Sequence, residues 1–508
     1  MPTEEVKRRA LWLAVFLPFT ILALLHVPEG PRFIDEDYAH YLLHAEAIAN
    51  GRAYTDIGFI STPLNPYIGP IAMPPGVPML LAPVVALGGV HSPLIPVVMI
   101  ALTLAFLAAA AAYFARREPV PIAMAVGLLC GLQPDLLHFT TQALSDLPLS
   151  AMLWGVILLT EPEEGPWSVP RLTAITLLGA AAISTRLAGI SLVPAMAAFG
   201  VLHFRVQRFR PLIPLLFWIA TFQITSAIIP TTASMMHNVG LVPPSYLQLF
   251  RLAARAYGLA IFDAQLFPFG PAGLNRIWHV FTAGLLVIGA VGAARAYWRS
   301  FLGVFAFAYV CMLFLVPVAN LRYFYPLIPA AVFLTLRGAV VVVQALRPRL
   351  EASRIAVAVA GAAVVVAAAS SMAVLDPPPP NAITLRPEVI ELYASVRGLP
   401  ASPSPRLMVF RPRVQALETG IPAMALVKGE PDIIIRELCA LGITHVVLGD
   451  LGSHPVETAD VRQAVASYPS AFTREFRNKS FDVVRFDPIA ASEALGGPAC
   501  TRRPARAR

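Results

Sequence analysis

The stretch Phe33-Ile-Asp-Glu-Asp-Tyr-Ala-His-Tyr41 follows the first apolar segment of a chain in which only 13% of the residues are charged. It places the carboxylates of Asp35, Glu36 and Asp37 side by side, and the helical run that continues from it ends at Gly51. Acidic side chains beside a bilayer are costly unless they face water, a metal ion or a substrate. The three acids therefore mark a candidate site. The alternative is a solvated helix N-terminus, where carboxylates only complement the helix dipole.

The composition is that of a membrane protein. Hydrophobic residues make up 57% of the 508 residues, and the mean hydropathy is +0.68, which excludes an ordinary soluble domain. The net charge of +8 does not indicate nucleic-acid binding, because Lys and Arg lie mainly between the apolar segments. Such a distribution follows the positive-inside rule. In our assignment the basic links all lie on one side of the membrane, at 7–9, 116–117, 205–210, 295–299 and 347–354.

The apolar runs predict an α-helical polytopic protein with about eleven transmembrane helices, since a span needs about 20 apolar residues. The N-terminus is then cytoplasmic and the C-terminus extracytoplasmic, and we expect a bacterial inner (plasma) membrane. Residues 10–27 are interpreted as a signal anchor. In the first extracytoplasmic loop, about 28–92, the run 79–90 is expected in the membrane interface, and 246–262 has the spacing of an amphipathic helix. The predicted spans are 10–27, 94–114, 120–139, 147–159, 172–184, 187–204, 212–229, 277–297, 301–318, 325–345 and 355–375.

The composition changes after the polyproline stretch Asp376-Pro-Pro-Pro-Pro380. We predict a transmembrane domain over 1–375, a Pro-rich linker over 376–400, a small α/β extracytoplasmic domain over 401–490 and a basic disordered tail over 491–508. Strands are predicted at 407–410, 444–448 and 481–486, and helices at 431–441 and 456–467. Cys439 and Cys500 either pair in an oxidising compartment or stay free.

Polar residues gather on the extracytoplasmic side in this topology. Besides the three acids, they are His138, Gln142, Asp146, Arg186, His237, Arg322 and Tyr323. A carboxylate there can take the proton of an attacking hydroxyl, and an arginine or a divalent cation can neutralise a phosphate.

These polar residues also have structural interpretations. Asp146 could cap a helix, and Arg186 could be a turn residue or a side chain that snorkels to the interface. Arg322 with Tyr323 could be an interfacial anchor, and the two histidines are more often packing residues than metal ligands.

Five segments carry a family resemblance through their order and their position relative to the spans. They are Asp35-Glu-Asp-Tyr-Ala-His-Tyr41 running on to Gly51, Pro74-Pro-Gly-Val-Pro-Met-Leu-Leu-Ala-Pro83, Gln142-Ala-Leu-Ser-Asp-Leu-Pro148, Thr185-Arg-Leu-Ala-Gly189 and Leu321-Arg-Tyr-Phe-Tyr-Pro326. Together they cover about residues 9–346 and resemble the polytopic glycosyltransferases of the GT-C superfamily. The likeness is to the protein-O-mannosyltransferase and aminoarabinose-transferase type, also called glycosyltransferase family 39 or RgtA-like.

The resemblance implies transfer of a sugar from a polyprenyl-phosphate-linked donor to a hydroxyl of a glycan, lipid or protein acceptor. Transfer is expected on the extracytoplasmic face, with inversion at the anomeric carbon. The first-loop acid is the expected base, and the spacing to Tyr41 and Gly51 favours Asp37 over Asp35, with Glu36 assisting. This sequence has three consecutive acids where the family usually has an acidic pair. Whether Asp35 or Asp37 corresponds to the family's base therefore stays open.

Further site residues are implied by the resemblance. Asp146 corresponds to a second-loop acid that helps to hold the site or the acceptor, and Arg322 and Tyr323 correspond to late-loop residues that face the donor phosphate. The C-terminal domain resembles a periplasmic appendage of some members and receives no catalytic part. The metal requirement stays open. The remaining candidates are Tyr41, His44, Gln142 and Arg186 for substrate binding, and Glu36 and His237 as metal ligands.

Two other functions compete with this reading. A transporter or flippase of lipid-linked or small solutes is also built from many spans, but it should place ionisable residues or broken helices near the middle of the membrane. Here the polar residues cluster at one face, which favours the enzyme. A catalytically inactive scaffold is the third reading, and it would tolerate removal of the first-loop charges.

Overall fold

The computed structural model describes residues 16–17, 19–21, 23–24, 36–62, 64, 73–161, 165–228, 251, 272–315, 321–374, 386–449 and 455–496. The predictions made for Asp35, His237 and Cys500, for the helix at 246–262 and for most of the first span lie outside these residues. The described part of the chain is mainly helical and contains a six-stranded sheet.

The first loop folds into two helices and a short strand, which are α1 (Glu36–Ala49), β1 (Phe59–Ile60) and α2 (Gly76–Gly88). The acidic residues Glu36 and Asp37 form the first turn of α1. On α2, Met79 and Leu87 are exposed apolar side chains, as expected of a helix that lies in the membrane interface.

Apolar helices occupy the segments that were predicted as spans from residue 94 onward. By length and composition, three helices in the described ranges are long and apolar enough to cross a membrane, Leu94–Ala115, Val280–Tyr297 and Arg322–Leu346, and eight shorter apolar helices accompany them. The number of spans stays a prediction. The helices are α3 (Leu94–Ala115), α4 (Val120–Gly131), α5 (Pro134–Phe139), α6 (Asp146–Thr160), α7 (Val169–Thr185), α8 (Leu192–Leu202), α9 (Phe204–Gln207), α10 (Leu212–Ile228), α11 (Ala272–Tyr297), α12 (Phe301–Leu315), α13 (Ile328–Leu346) and α14 (Ala352–Val374).

The apolar helices are interrupted at several places, and the break at 185–186 lies where the predicted spans 172–184 and 187–204 meet. The predicted span 120–139 is divided before Pro134, which has no N–H to donate. The backbone of Arg186 is extended, and a 3₁₀ turn, Leu187–Ser191, separates α7 from α8. A second 3₁₀ turn, Leu321–Leu327, precedes α13. The breaks at Arg186 and before α13 bring polar groups to a helix end.

The C-terminal end of α6 is fixed by Glu161, the residue that follows the helix. The Glu161 carboxylate accepts hydrogen bonds from the backbone N–H of Phe301, at 2.6 Å, and from Arg117 and Tyr113, at 2.6 and 3.2 Å. It therefore joins the ends of α3 and α6 to the start of α12. This accounts for a buried acid at the end of an apolar helix.

The C-terminal segment contains helices α15 (Pro387–Arg397), α16 (Pro412–Thr419), α17 (Pro431–Leu441), α18 (Pro455–Ser467) and α19 (Pro488–Ala494), and strands β2 (Leu407–Val409), β3 (Ala423–Ala425), β4 (His445–Gly449), β5 (Phe472–Arg477) and β6 (Phe481–Phe486). The predicted strands and helices are confirmed as β2, β4, β6, α17 and α18. Helix α15 lies inside the segment that was predicted as a linker. Cys439 is disulfide-bonded, and Cys130 and Cys311 are free.

The sheet includes a strand from the first loop. Its order is β1-β3-β2-β4-β6-β5, and β1 pairs in parallel with β3, Phe59 opposite Ala423 and Ile60 opposite Met424. The first loop and the C-terminal segment also share one hydrophobic core. Its buried members include Tyr38, Leu42 and Val77 from the loop and Val389, Val414, Val447 and Phe481 from the C-terminal segment.

Close packing at Gly76 connects the first loop to the break after α7. A Cβ at position 76 would lie 2.5 Å from Thr185 Oγ1 and 2.7 Å from the backbone N and Cα of Thr185. Side chains do not tolerate such distances, so any larger residue must displace Thr185 and, with it, Arg186.

We expect Gly76→Ala to lower the stability by about 1–3 kcal/mol through overpacking. Thermal unfolding of the purified protein in detergent measures this change. The matched control is Gly361→Ala on α14, because a Cβ at position 361 meets nothing within 4 Å. Equal stability of the two variants would contradict the close packing described.

Candidate active site

Four charged side chains from four separate elements meet at one end of the helix bundle. Asp37 comes from the first turn of α1, Asp146 is the first residue of α6, Arg186 occupies the break after α7, and Arg322 lies in the 3₁₀ turn before α13. We call these four residues the ionic cluster. They belong to four of the segments that carried the family resemblance, although they are far apart in sequence.

The charges in the ionic cluster alternate. Arg322 Nη2 lies 3.3 Å from Asp37 Oδ2, and Arg322 Nη1 lies 4.0 Å from Asp146 Oδ2. Asp146 Oδ1 in turn accepts a hydrogen bond of 2.6 Å from Arg186 Nη1. Two acids and two bases therefore neutralise one another, which lowers the cost of placing them beside apolar helices.

Exposure differs sharply within the ionic cluster. The Asp37 side chain is 41% exposed, whereas that of Asp146 is 4% exposed. A substrate can therefore approach the carboxylate of Asp37, while the carboxylate of Asp146 is enclosed by its two arginines. The predicted preference for Asp37 over Asp35 stays a prediction, because Asp35 lies outside the described residues.

Aromatic and hydroxyl groups hold the arginines in place. The Arg186 guanidinium lies 4.4 Å from the ring centroid of Tyr323, and its Nη1 also donates to Ser145 Oγ at 3.0 Å. The Arg322 guanidinium lies 5.6 Å from the ring centroid of Phe139. Cations placed over aromatic faces in this way are stabilised by the ring quadrupole.

Tyr41 is buried beside the same groups. Burial raises the pKa of its phenol, and the neighbouring positive charge of Arg186 lowers that pKa. The hydroxyl is close enough to Ser145 for a side-chain hydrogen bond. Tyr41 therefore belongs to the wall that encloses Asp146 and Arg186.

Glu36 is directed away from the ionic cluster. Its Oε2 accepts a hydrogen bond from the backbone N–H of Arg413, at 3.3 Å, and lies 4.0 Å from the Nη1 atom of Arg413. Burial raises the pKa of Glu36 to about 7, against the opposing effect of the Arg413 charge. The two acids of the first turn of α1 therefore have different partners. If the two acids only complemented the helix dipole, they would lie in the first turn, as observed. That role would not require an arginine partner for each acid.

His44 and Gln142 are buried in the first two loops and have other described contacts. His44 Nδ1 lies 2.7 Å from the Tyr54 carbonyl oxygen, and the N–H of Met73 donates to His44 Nε2. Burial lowers the pKa of His44 to about 4, so its ring is neutral at pH 7 and holds loop backbone. The backbone N–H of Gln142 donates to Phe139. Their roles in substrate binding stay predictions.

No group of three or more His, Cys, Asp or Glu side chains that could hold a metal ion occurs in the described ranges. Glu36, one of the two metal candidates, is occupied by Arg413, and His237 lies outside the described residues. The side chains of the described site therefore do not form a fitting metal site, and no reaction step is assigned to one.

Two residues of the site were not predicted. Ser145 lies within a segment that carried the resemblance, next to Asp146, so its position could have indicated it. Arg413 gives no such signal, because it is 377 residues from Glu36 in sequence and lies in an unremarkable polar helix.

Comparisons with known proteins bear on the fold of the chain. No protein-family model and no curated protein matches the sequence. The crystal structure of apo ArnT from Cupriavidus metallidurans matches with a TM-score of 0.57 at 16% identity, over 96% of this chain and 99% of that chain. ArnT bound to undecaprenyl phosphate matches with a TM-score of 0.55 at 15% identity, over 93% and 98%.

A third match is more distant in sequence. The archaeal oligosaccharyltransferase AglB from Archaeoglobus fulgidus, in complex with an inhibitory peptide and a dolichol-phosphate, has a TM-score of 0.54 at 12% identity, over 94% of this chain and 74% of that chain. Likeness at such identities shows the fold alone. Because the likeness extends over nearly the whole chain, the fold predicted from the resemblance is confirmed: this protein has the GT-C fold of polytopic membrane glycosyltransferases.

Proposed function

We propose that the chain is an integral membrane glycosyltransferase that moves a sugar from a polyprenyl-phosphate-linked donor to a hydroxyl acceptor. The observation that carries this proposal is the ionic cluster, in which the accessible carboxylate of Asp37 lies 3.3 Å from the guanidinium of Arg322. A proton acceptor and a cation suited to phosphate are then neighbours at one end of an apolar helix bundle, as transfer from a lipid phosphate requires.

Asp37 is the proposed general base. Its carboxylate takes the proton of the acceptor hydroxyl while the hydroxyl oxygen attacks the anomeric carbon of the sugar. The bond between that carbon and the phosphate oxygen breaks, and the lipid phosphate leaves with the bonding electron pair. Attack from the side opposite to the leaving group inverts the anomeric carbon. The 41% exposure of the Asp37 side chain supports this assignment.

Arg322 is the proposed partner of the donor phosphate. Its contacts with Asp37 and Asp146, at 3.3 and 4.0 Å, are longer than a strong charge-assisted hydrogen bond of about 2.8 Å. The contact between Arg186 and Asp146 measures 2.6 Å. A phosphate can therefore replace the contacts of Arg322 at a lower energetic cost than those of Arg186. Asp146 and Arg186 are then positioning residues that hold Arg322 and Tyr323.

The structural neighbours support the proposed class of donor. The matching ArnT structure is bound to undecaprenyl phosphate, and the matching AglB structure holds a dolichol-phosphate. Both ligands combine a phosphate with a polyprenyl chain. We extend this ligand class to the present chain, together with a bacterial inner-membrane location in which the ionic cluster faces the extracytoplasmic side.

We expect Asp37→Asn to reduce sugar transfer by about 10²- to 10⁴-fold, because the amide keeps the shape of the side chain but cannot accept the proton. Release of polyprenyl phosphate from a polyprenyl-phosphate sugar by the purified protein in lipid nanodiscs measures the rate. The matched control is Asp56→Asn in the same loop, whose side chain is 62% exposed, and it should retain the wild-type rate.

Asp35→Asn tests whether Asp35 or Asp37 is the base. Loss of transfer in Asp35→Asn with full transfer in Asp37→Asn would move the role of base to Asp35. Full activity of both variants would disprove a first-loop base, and the transporter and scaffold hypotheses would then remain.

We expect Arg322→Ala to lose the lipid that the wild-type protein retains during purification, because the phosphate loses its cation. Mass spectrometry of lipids extracted from the detergent-solubilised protein should detect a polyprenyl phosphate, or its glycosylated form, in the wild type and a several-fold smaller amount in the variant. Arg337→Ala is the control, since Arg337 pairs with Glu118 rather than with the ionic cluster. Bulk phospholipid alone in all three proteins would contradict the proposed donor.

A further inference from the structure

The C-terminal segment contacts α1 directly through a buried arginine. The side chain of Arg413, on α16, is 1% exposed. Its guanidinium lies 4.5 Å from the ring centroid of Phe59, the first residue of β1, and its Nη1 atom lies 4.0 Å from Glu36 Oε2. One side chain of the C-terminal segment therefore touches both the start of α1 and the strand that the first loop adds to the sheet.

The main chain strengthens the same contact. The backbone N–H of Arg413 donates to Glu36 Oε2, at 3.3 Å. Arg413 is the second residue of α16, and the N-terminal end of a helix favours a carboxylate. The Glu36 side chain is 25% exposed, yet its Oε1 atom is buried and has no hydrogen-bond partner among the described residues. The Glu36 carboxylate is thus held at the junction between α1 and α16.

Glu36 and Asp37 are successive residues of one helical turn, so their side chains leave the helix about 100° apart. Arg413 holds the first turn of α1 from the side of the C-terminal segment, and Arg322 contacts it from the helix bundle, 3.3 Å from Asp37. The two contacts therefore act on the same helical turn, one at Glu36 and one at Asp37. The charge of Asp37 also acts on Arg413 directly by raising its pKa, against the larger lowering by burial.

We propose that Arg413 is a positioning residue for the first-loop acid. It fixes Glu36 and so keeps Asp37 directed at Arg322, and the C-terminal segment thereby completes the active site. The role of Asp37 in this inference rests on the proposed function, whereas the contact that orders α1 does not depend on it.

The charges around Glu36 give the contact a dependence on pH. Arg413 and Arg411 from the C-terminal segment favour the ionised form of Glu36. Burial disfavours that form more strongly, so the pKa of Glu36 is raised to about 7. Asp37 is the neighbouring acid on α1 itself. Above pH 7 the ionised carboxylate binds Arg413, and below pH 7 protonation removes that attraction. Transfer by the wild type should therefore decline as the pH falls through about 7.

The test compares Arg413→Gln, Glu36→Gln and the double variant in nanodiscs. A misplaced base should lower kcat by about 10- to 100-fold, while KM for a polyprenyl-phosphate sugar changes less than about threefold. Arg413→Lys keeps the charge and should lose less activity than Arg413→Gln. If Arg413 acts through Glu36, the double variant loses no more than the more impaired single variant. Glu36→Gln should also lack the decline in rate near pH 7.

Arg485→Gln is the matched control in the same segment. Arg485 is on β6, its side chain is 58% exposed, and it pairs with Glu475 rather than with the first loop. Its variant should keep the wild-type kcat. An equal loss of kcat in Arg485→Gln would show a general dependence on the C-terminal segment and would overturn the inference, as would independent, multiplicative losses in the two single variants.

Hydrogen–deuterium exchange gives a measurement that needs no enzymatic activity. In Arg413→Gln and Arg413→Lys, amides of α1 and of residues 57–60 should exchange faster than in the wild type, with α13 unchanged. Unchanged exchange in α1 would overturn the inference even if transfer were reduced. If the wild type shows no transfer but α1 exchanges faster in the variants, the proposed function fails and the contact stands.

Discussion

The buried ion pair between Asp146 and Arg186 is the interaction on which the described site depends. A carboxylate that is 4% exposed beside apolar helices is costly to bury unless a cation meets it closely, and the 2.6 Å contact supplies that cation. Helix α7 stops at Thr185, the backbone of Arg186 is extended, and the Arg186 guanidinium meets Asp146 from this break. The polar site and the break in the apolar scaffold therefore occur at the same residue.

Hydropathy and charge predicted most of the helices, because a long apolar run between basic links has few structural solutions. The sequence order of the motifs also identified Asp37, Asp146, Arg186 and Arg322, which the structure brings together. Their individual partners were not predictable, since one sequence does not reveal which loops meet in space. The spacing to Tyr41 and Gly51 favoured Asp37 as the base, which stays a prediction. The structure separates Asp37 from Glu36 by their different arginine partners, Arg322 and Arg413.

The parts that the sequence did not reveal are short or distant. Strand β1 has two residues and β3 has three, too few for an alternating pattern to be recognised, and their pairing depends on tertiary contact rather than on local propensity. Arg413 was missed because nothing in a short polar helix marks a side chain that will be buried against a loop 377 residues away. A boundary drawn from composition after the polyproline stretch therefore separates residues that share one hydrophobic core.

The parallel pairing of β1 with β3 determines when the first loop can complete its packing during synthesis. During synthesis from the N-terminus, Phe59 and Ile60 are made long before Ala423 and Met424, their partners. Until those residues appear, the apolar face of the first loop lacks its cover and its strand has an unpaired edge. The loop that carries the acidic stretch therefore matures last, although it is among the first parts of the chain to be made. A nascent chain then carries the candidate site on an incompletely covered loop until its C-terminal strands have folded.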